Sequence, residues 1–473
     1  MEGPLEKIRD GNGGAASQVL ATGPNRRHTE FRPTRAIAQK IVQSAAPSTH
    51  TAGTPLPSRN GESWILLASA VAALAPYAIY HRLFLQMYWF GDEFDLVDQF
   101  DRLGFWRWVW LAFAENFVPL FKVLWGGAVL AFGGSYAAMI ALVWLTHALN
   151  VGLLGRLMRT CGLPWLAVLL AQVVFGLTVE NYETLAWSVQ WSAMLSVTFM
   201  LLGLDRIFLS PRLGTPLGLA LASGLSFSRG ALTGPLIGSG SFLHDRGMGL
   251  FPRFARAALF LVPAIAVAGL IFLLAKGNQH YMAGHFGQAA VYGTWYFCLN
   301  PSHALLLMES LSWRTTLALG LLKVALYAWA LLRSRDRARD FFTVLILFDL
   351  GNSALLGIGR YHMGIPTAVS SRYQYAALLS FMPIAGYWFS CQWQKLNAPA
   401  RALRTAATCL LAALALALCL QWPSEMNHFA EWRCTRSRHI LFEEPNPGAQ
   451  AVPGIPDLPM DRAKDLIARY HLH

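Results

Sequence analysis

Between residues 63 and 420 the sequence keeps returning to one pattern, an apolar run followed by a short cluster of charges. A run of that length hides its backbone polar groups from lipid only as a helix, and about 20 residues at 1.5 Å each are needed to cross a hydrocarbon core. Charged residues make up 14% of the chain, against roughly 25% for a soluble globule. The pattern predicts an all-α polytopic transmembrane helix bundle of about eleven spans.

The basic residues set an orientation. Arg26, Arg27, Arg32, Arg35 and Lys40 precede the first run, and clusters at Arg156 and Arg159, Arg246 to Arg256, Arg333 to Arg339 and Lys395 to Arg404 follow alternate runs. The positive-inside rule puts all of these in the cytoplasm, with the N-terminus inside and the C-terminus outside. The net charge of +12 then reports topology, and no nucleic-acid partner is expected. Residues 1–60, rich in small residues and proline, read as a disordered cytoplasmic tail. Residues 61–421 form the transmembrane body and 422–473 a short external tail. The first span is expected at 63–83, and residues 216–242 as two short spans meeting outside at Arg229. Residues 291–313, broken by Asn300-Pro301, read as interfacial or re-entrant. The six cysteines have no CxxC or metal-ligand spacing and imply no disulfide framework. No internal repeat is seen, which weighs against inverted-repeat transporters.

Directly after the first apolar run stands Trp89-Phe90-Gly91-Asp92-Glu93-Phe94-Asp95. Each acid would cost roughly 3 kcal/mol at a bilayer centre, so the knot must sit at the outer boundary. Trp106, Trp108 and Trp110, interleaved with Arg102 and Arg107, belong at headgroup level and suggest interfacial helices in this first external loop. The external side collects Asp92, Glu93, Asp95, Glu115, Lys122, Glu180, Glu183, Arg229, His280, His285, Arg360, His362, Arg372 and Tyr373. Carboxylates and arginines from separate loops suit a transfer onto or off a lipid phosphate. One carboxylate takes a proton from the attacking group, a second holds a divalent cation, and arginine grips phosphate through a planar fork. His280, in a Gly-rich loop with His285, and Tyr373 are candidate substrate-loop residues. His147, mid-span, reads as a bridge between helices. Lys323 and Asp349 lie at similar depths in neighbouring spans and are expected to pair, because an unpaired charge there is costly.

The layout resembles the GT-C glycosyltransferases, multi-span enzymes that use polyprenyl-phosphate-linked sugars, such as protein mannosyltransferases and aminoarabinose transferases. Gly91-Asp92-Glu93-Phe94, Asn116-Phe117-Val118-Pro119-Leu120, His147-Ala148-Leu149-Asn150 and the stretch from Arg360 through Ser371-Arg372-Tyr373 carry the resemblance, over roughly residues 63 to 390. It implies a catalytic base at Asp92 or Glu93 and a divalent metal ion (Mg or Mn) at Asp92 with Glu180 or Glu183, with no organic cofactor. Donor-phosphate contacts would come from Arg372 and Arg360, with Lys122 as a further candidate. The C-terminus departs from the oligosaccharyltransferase branch, since no large external domain follows, and this favours a lipid or glycan acceptor over a folded protein. The expected activity is inverting transfer of a sugar at the external face of a bacterial inner membrane, with a periplasmic site. A transporter or flippase for a lipid-linked sugar would use the same arginines without chemistry. A glycan polymerase or ligase would work through Arg360, His362 and Arg372.

Overall fold

A computed structural model describes residues 59–113, 116–209, 213–274, 285–306, 312–396, 399–443, 451–452 and 455–473; the N-terminal tail, Glu115 and His280 lie outside them. Among the described residues the fold is all-α apart from a short antiparallel pairing of Ala451–Val452 with Ile455–Pro459 and an isolated bridge between Phe113 and Asn116. Among the described residues six helices are long and apolar enough to cross a membrane: Tyr136–Thr160, Ser188–Leu209, Leu250–Leu274, Trp313–Arg333, Asp336–Met363 and Ala400–Phe442. A seventh appears if Trp165–Leu177 and Val179–Ala186, bent by 52°, count as one span.

This is fewer than the eleven expected, and the reason is length. Pro119–Ala131, Gly214–Ser226 and Thr233–His244 are apolar helices of only 12 to 13 residues, roughly 20 Å each, too short to cross unaided. The expected first span is divided into Arg59–Ala72, Ala75–Ile79 and His81–Leu85, with Pro76 opening the second piece, where a missing N–H does no harm. The helix Phe286–Leu299 stops at Asn300-Pro301, so residues 291–313 form no continuous span.

The membrane-length helices are apolar on their outer faces as well as their inner ones. Leu317, Leu321 and Leu322 are 53%, 62% and 63% exposed, a surface that suits lipid better than water. Small residues let neighbouring helices approach closely. Gly293 and Gly357 face each other where Phe286–Leu299 crosses Asp336–Arg360, and a Cβ on Gly357 would collide with the Ala289 carbonyl.

One end of the bundle is an aromatic platform. Trp89, Trp108, Trp125, Trp144 and Trp422 are all fully buried; Trp144 lies 5.2 Å from Trp422 and 5.4 Å edge-on from Phe84. The other end is basic and closed by ion pairs, Arg156–Asp205 at 3.1 Å and Arg246–Asp340 at 2.6 Å. The helix Asp336–Arg360 connects the two, and its 25 residues separate Arg360 from the Arg333–Arg339 cluster by roughly 35 Å.

Between those ends Lys323 and Asp349 pair at 2.6 Å. The Lys323 ammonium also donates to the Phe297 and Asn300 carbonyls, each at 2.8 Å. Asp349 accepts from Tyr327 Oη at 2.9 Å and Ser380 Oγ at 3.3 Å. His147 bridges helices through Tyr375 Oη at 3.2 Å and the Gly176 carbonyl at 3.1 Å.

The segment read as an external tail folds back onto the aromatic platform. Trp422–Phe429, Arg436–Phe442 and Met460–Tyr470 are helices. The Tyr136 N–H donates to the His473 carbonyl at 2.8 Å, and the His473 N–H to the Gly134 carbonyl at 3.1 Å. Gly134, at φ +74°, is forced there: a Cβ would collide with the Tyr470 carbonyl.

Candidate functional site

The helix Asp92–Leu103 begins where the chain leaves the platform. Gly91, at φ 54°, makes the turn, and Asp92, Glu93 and Asp95 in the first turn suit the positive end of the helix. A helical step of about 100° between neighbours sends adjacent acids in different directions. Asp92 opens on a cavity of about 700 Å³. Glu93 points into the core and is completely buried.

Glu93 has its own partners. Its Oε2 accepts the Phe90 N–H at 3.0 Å, and its Oε1 accepts both the N–H (3.1 Å) and the hydroxyl of Ser188. Burial pushes its pKa up to about 8, against these hydrogen bonds, which pull it down. Its geometry ties the helix start to the Ser188 turn and leaves it no access to the cavity, so of the two expected bases only Asp92 can reach a ligand.

The cavity is lined by Asp92, Arg229, Arg360, Arg372 and Tyr373, with Gln190, Asn116 and Asn352 as neutral polar groups, and walled by Phe113, Phe121, Trp187, Phe227, Phe272 and Leu355 among others. The Asp92 side chain is accessible from this space, yet the surrounding protein desolvates it. Burial raises its pKa above the ordinary carboxylate value, Asp95 adds to the rise, and Arg372, Arg360 and Arg433 oppose it. That is the environment of a carboxylate that takes up a proton more readily than a solvated one.

Arg372 is held by its backbone. It lies in the first turn of the helix Ser371–Trp393, whose open N–H groups need acceptors. Glu183 supplies one from another helix: its Oε2 accepts the Ser370 hydroxyl at 2.9 Å and the Arg372 N–H at 3.1 Å. Arg433, stacked over Phe90, Trp187 and Phe429, donates to the Glu183 Oε1 at 3.4 Å. The Ser371 hydroxyl donates to the Glu180 carbonyl at 2.7 Å. The acidic loop at 180–183 therefore meets the Ser-Arg-Tyr loop directly, as its scaffold.

This arrangement bears on the metal. Both Glu183 oxygens are occupied, and the charge acting on the Glu180 carboxylate is Glu425. Asp92, Glu180 and Glu183 do not form a ligand set, and among the described residues no group of three His, Cys, Asp or Glu side chains is placed to hold a metal ion.

Lys122 is also engaged elsewhere. It is fully buried, donates to the Trp108 and Leu111 carbonyls at 3.0 and 2.9 Å, and stands 5.1 Å over the Trp108 ring. The ammonium clamps the short helix Phe105–Val109 and does not line the cavity. His285 stacks on Tyr361 at 5.6 Å and is not among the lining residues.

Sequence reasoning collects Arg229 with the external charged residues without naming it as a phosphate contact, and overlooks Arg433 and Asn352. The signal for Arg229 is a lone arginine between two Gly-rich apolar pieces, Ser226-Phe227-Ser228-Arg229-Gly230. Arg433 has no comparable signal, because its partner Glu183 is 250 residues away. No family model matches the sequence, and no curated protein compared with it matches either.

Proposed function

We propose that the protein is an integral-membrane inverting glycosyltransferase of the GT-C type that moves a sugar from a polyprenyl-phosphate donor to a lipid or glycan acceptor at the external face, in a bacterial inner membrane with a periplasmic site. The observation that carries this reading is the cavity, where one desolvated carboxylate, Asp92, shares an apolar-walled space with Arg360 and Arg372. Apolar walls suit a prenyl chain, and the guanidiniums suit the phosphate that leaves.

In the reaction Asp92 takes the proton of the acceptor hydroxyl while its oxygen attacks the anomeric carbon. The bond from that carbon to the phosphate oxygen breaks on the opposite face, so configuration inverts. The electron pair departs with the polyprenyl phosphate, whose charge Arg372 and Arg360 stabilise. Because burial raises the Asp92 pKa, the carboxylate is a stronger base than a solvated one. The basic clusters at the end remote from the cavity support an external site.

The test uses purified protein in lipid nanodiscs with a panel of polyprenyl-phosphate sugars and simple glycan acceptors, comparing wild type with Asp92→Asn. Release of polyprenyl phosphate by wild type and its loss in the variant are expected. Donor binding without release of lipid phosphate by wild type would overturn the enzyme reading and make transport of the same lipid the function to test.

A further inference from the structure

The arginine that the proposed reaction leaves unused is the most deeply set of the three. Arg229 sits on the short turn Ser228–Leu232 between two 12- to 13-residue helices, is 9% exposed and lines the cavity. Among the described residues no carboxylate pairs with it. Its only hydrogen-bond acceptor is the Asn352 Oδ1 at 3.4 Å, its Nε–H is buried without an acceptor, and its guanidinium leans 5.6 Å over the Phe227 ring. The Arg372 Nε–H is also buried without an acceptor. A buried cation lacking an acid partner is expensive, and the cost is recovered only when an anion arrives.

Asn352 is oriented for this by its neighbours. The Tyr296 hydroxyl donates to the Tyr373 carbonyl at 2.9 Å, so it can only accept the Asn352 Nδ2–H, also at 2.9 Å. That leaves the Asn352 oxygen facing Arg229. A neutral amide thus holds the guanidinium in place without neutralising it.

Counting the charged groups of the lining, three guanidiniums face one carboxylate. Asn352, which holds Arg229, stands eight residues before Arg360 on the helix Asp336–Arg360, about 12 Å along its axis, so Arg229 marks a second position in the same cavity. A single phosphodiester would leave that position empty. We infer that Arg229 is a second anion anchor and that the lipid-linked ligand is a diphosphate, one phosphoryl group at Arg372 and Arg360 and the other at Arg229. This rests on the donor reading above and names its linkage.

The test is binding, which does not require turnover. Undecaprenyl monophosphate and undecaprenyl diphosphate are titrated against wild type, Arg229→Gln, Arg229→Lys and Asn352→Asp in nanodiscs, each variant first checked for monodispersity and thermal stability. The expected result is diphosphate binding about tenfold tighter than monophosphate in wild type, with the preference lost in Arg229→Gln and largely kept in Arg229→Lys. Asn352→Asp gives Arg229 an internal partner and should abolish the preference with the arginine still present, which carries the test if Arg229→Gln does not fold. Equal binding of the two lipids by wild type, or an equal loss of both in the variants, would overturn the inference. Tight diphosphate binding without any sugar transfer would leave it standing and sink the enzyme reading.

Discussion

Two charged regions lie within this bundle, and they are built on opposite principles. At Lys323 and Asp349 every charge is closed: the ammonium has a carboxylate and two carbonyls, and the carboxylate has a lysine and two hydroxyls. At the cavity Asp92 is desolvated, Arg229 has no carboxylate partner among the described residues, and the Nε–H groups of Arg229 and Arg372 lack acceptors. A buried ion pair with all its hydrogen bonds made is a structural part. Charges that remain open in the same fold mark where a ligand belongs.

The sharpest way to break this comparison is at Asp92. If the open acid is the base, Asp92→Asn should lower transfer roughly 10²–10⁴-fold with the melting temperature unchanged, and Asp92→Glu should recover part of the rate. A variant that transfers sugar normally would move the chemistry away from the first loop. The closed pair predicts the reverse pattern. Lys323→Met alone should cost about 3–5 kcal/mol, by leaving an uncompensated carboxylate, while Lys323→Met with Asp349→Leu should restore most of it. Thermal unfolding of both variants beside wild type, together with transfer assays, checks this. Activity lost in a double variant as stable as wild type would give the pair a part in function.

Much of this was legible in the sequence because it is local. Apolar runs, basic clusters and an acidic knot after the first run define an all-α bundle with membrane-length helices and point to Asp92, Arg360 and Arg372 as residues to examine. The depths of Lys323 and Asp349 were enough to pair them. What could not be read depends on direction and on distance along the chain. Asp92 and Glu93 are neighbours with the same chemistry, and only the face of the helix decides which one is buried against Ser188. The short apolar helices at 119–131, 214–226 and 233–244 have the composition of spans and differ from them only in length. Lys122 and Glu183 read as ligands of substrate or metal because they lie at the right boundary; in the fold Lys122 bonds two backbone carbonyls, and Glu183 bonds the Ser370 hydroxyl, the Arg372 N–H and the Arg433 guanidinium.

Glu93 gives a smaller effect with a defined sign. Its pKa is raised in the folded protein to about 8 from an ordinary 4.5, so the folded state binds a proton that the unfolded chain has released. Its contribution is therefore fully present below about pH 4.5 and is lost as the pH rises toward 8. Wild type should lose thermal stability across that window, and Glu93→Gln, which cannot ionise, should show a flatter profile. Parallel profiles would mean that the buried acid does not titrate there.

The smallest effect concerns the segment read as a tail. Arg462 on the terminal helix bonds Asp98 at 2.8 Å and Asp101 at 2.6 Å, and Arg469 and Tyr470 also hold Asp101. Asp98 and Asp101 lie on the same helix that starts at Asp92, so the terminal helix braces the element that aims the proposed base. Burial works to raise the Asp101 pKa, but the hydrogen bonds from Arg462, Tyr470 and Arg469 outweigh it and hold the group below its ordinary 3.8. A depressed acid stabilises above its unfolded pKa and loses that contribution as the pH falls through the folded one. Arg462→Ala should cost about 1 kcal/mol, since the pair is partly solvated, and the difference from wild type should hold from pH 5 to 8 and shrink below about pH 4. If the brace also aims Asp92, the variant should lose transfer rate a few-fold with donor binding unchanged, because a small misplacement of a catalytic group is felt in turnover before it is felt in affinity. A loss of stability with the rate intact would show that the terminal helix covers the platform without steering the acid.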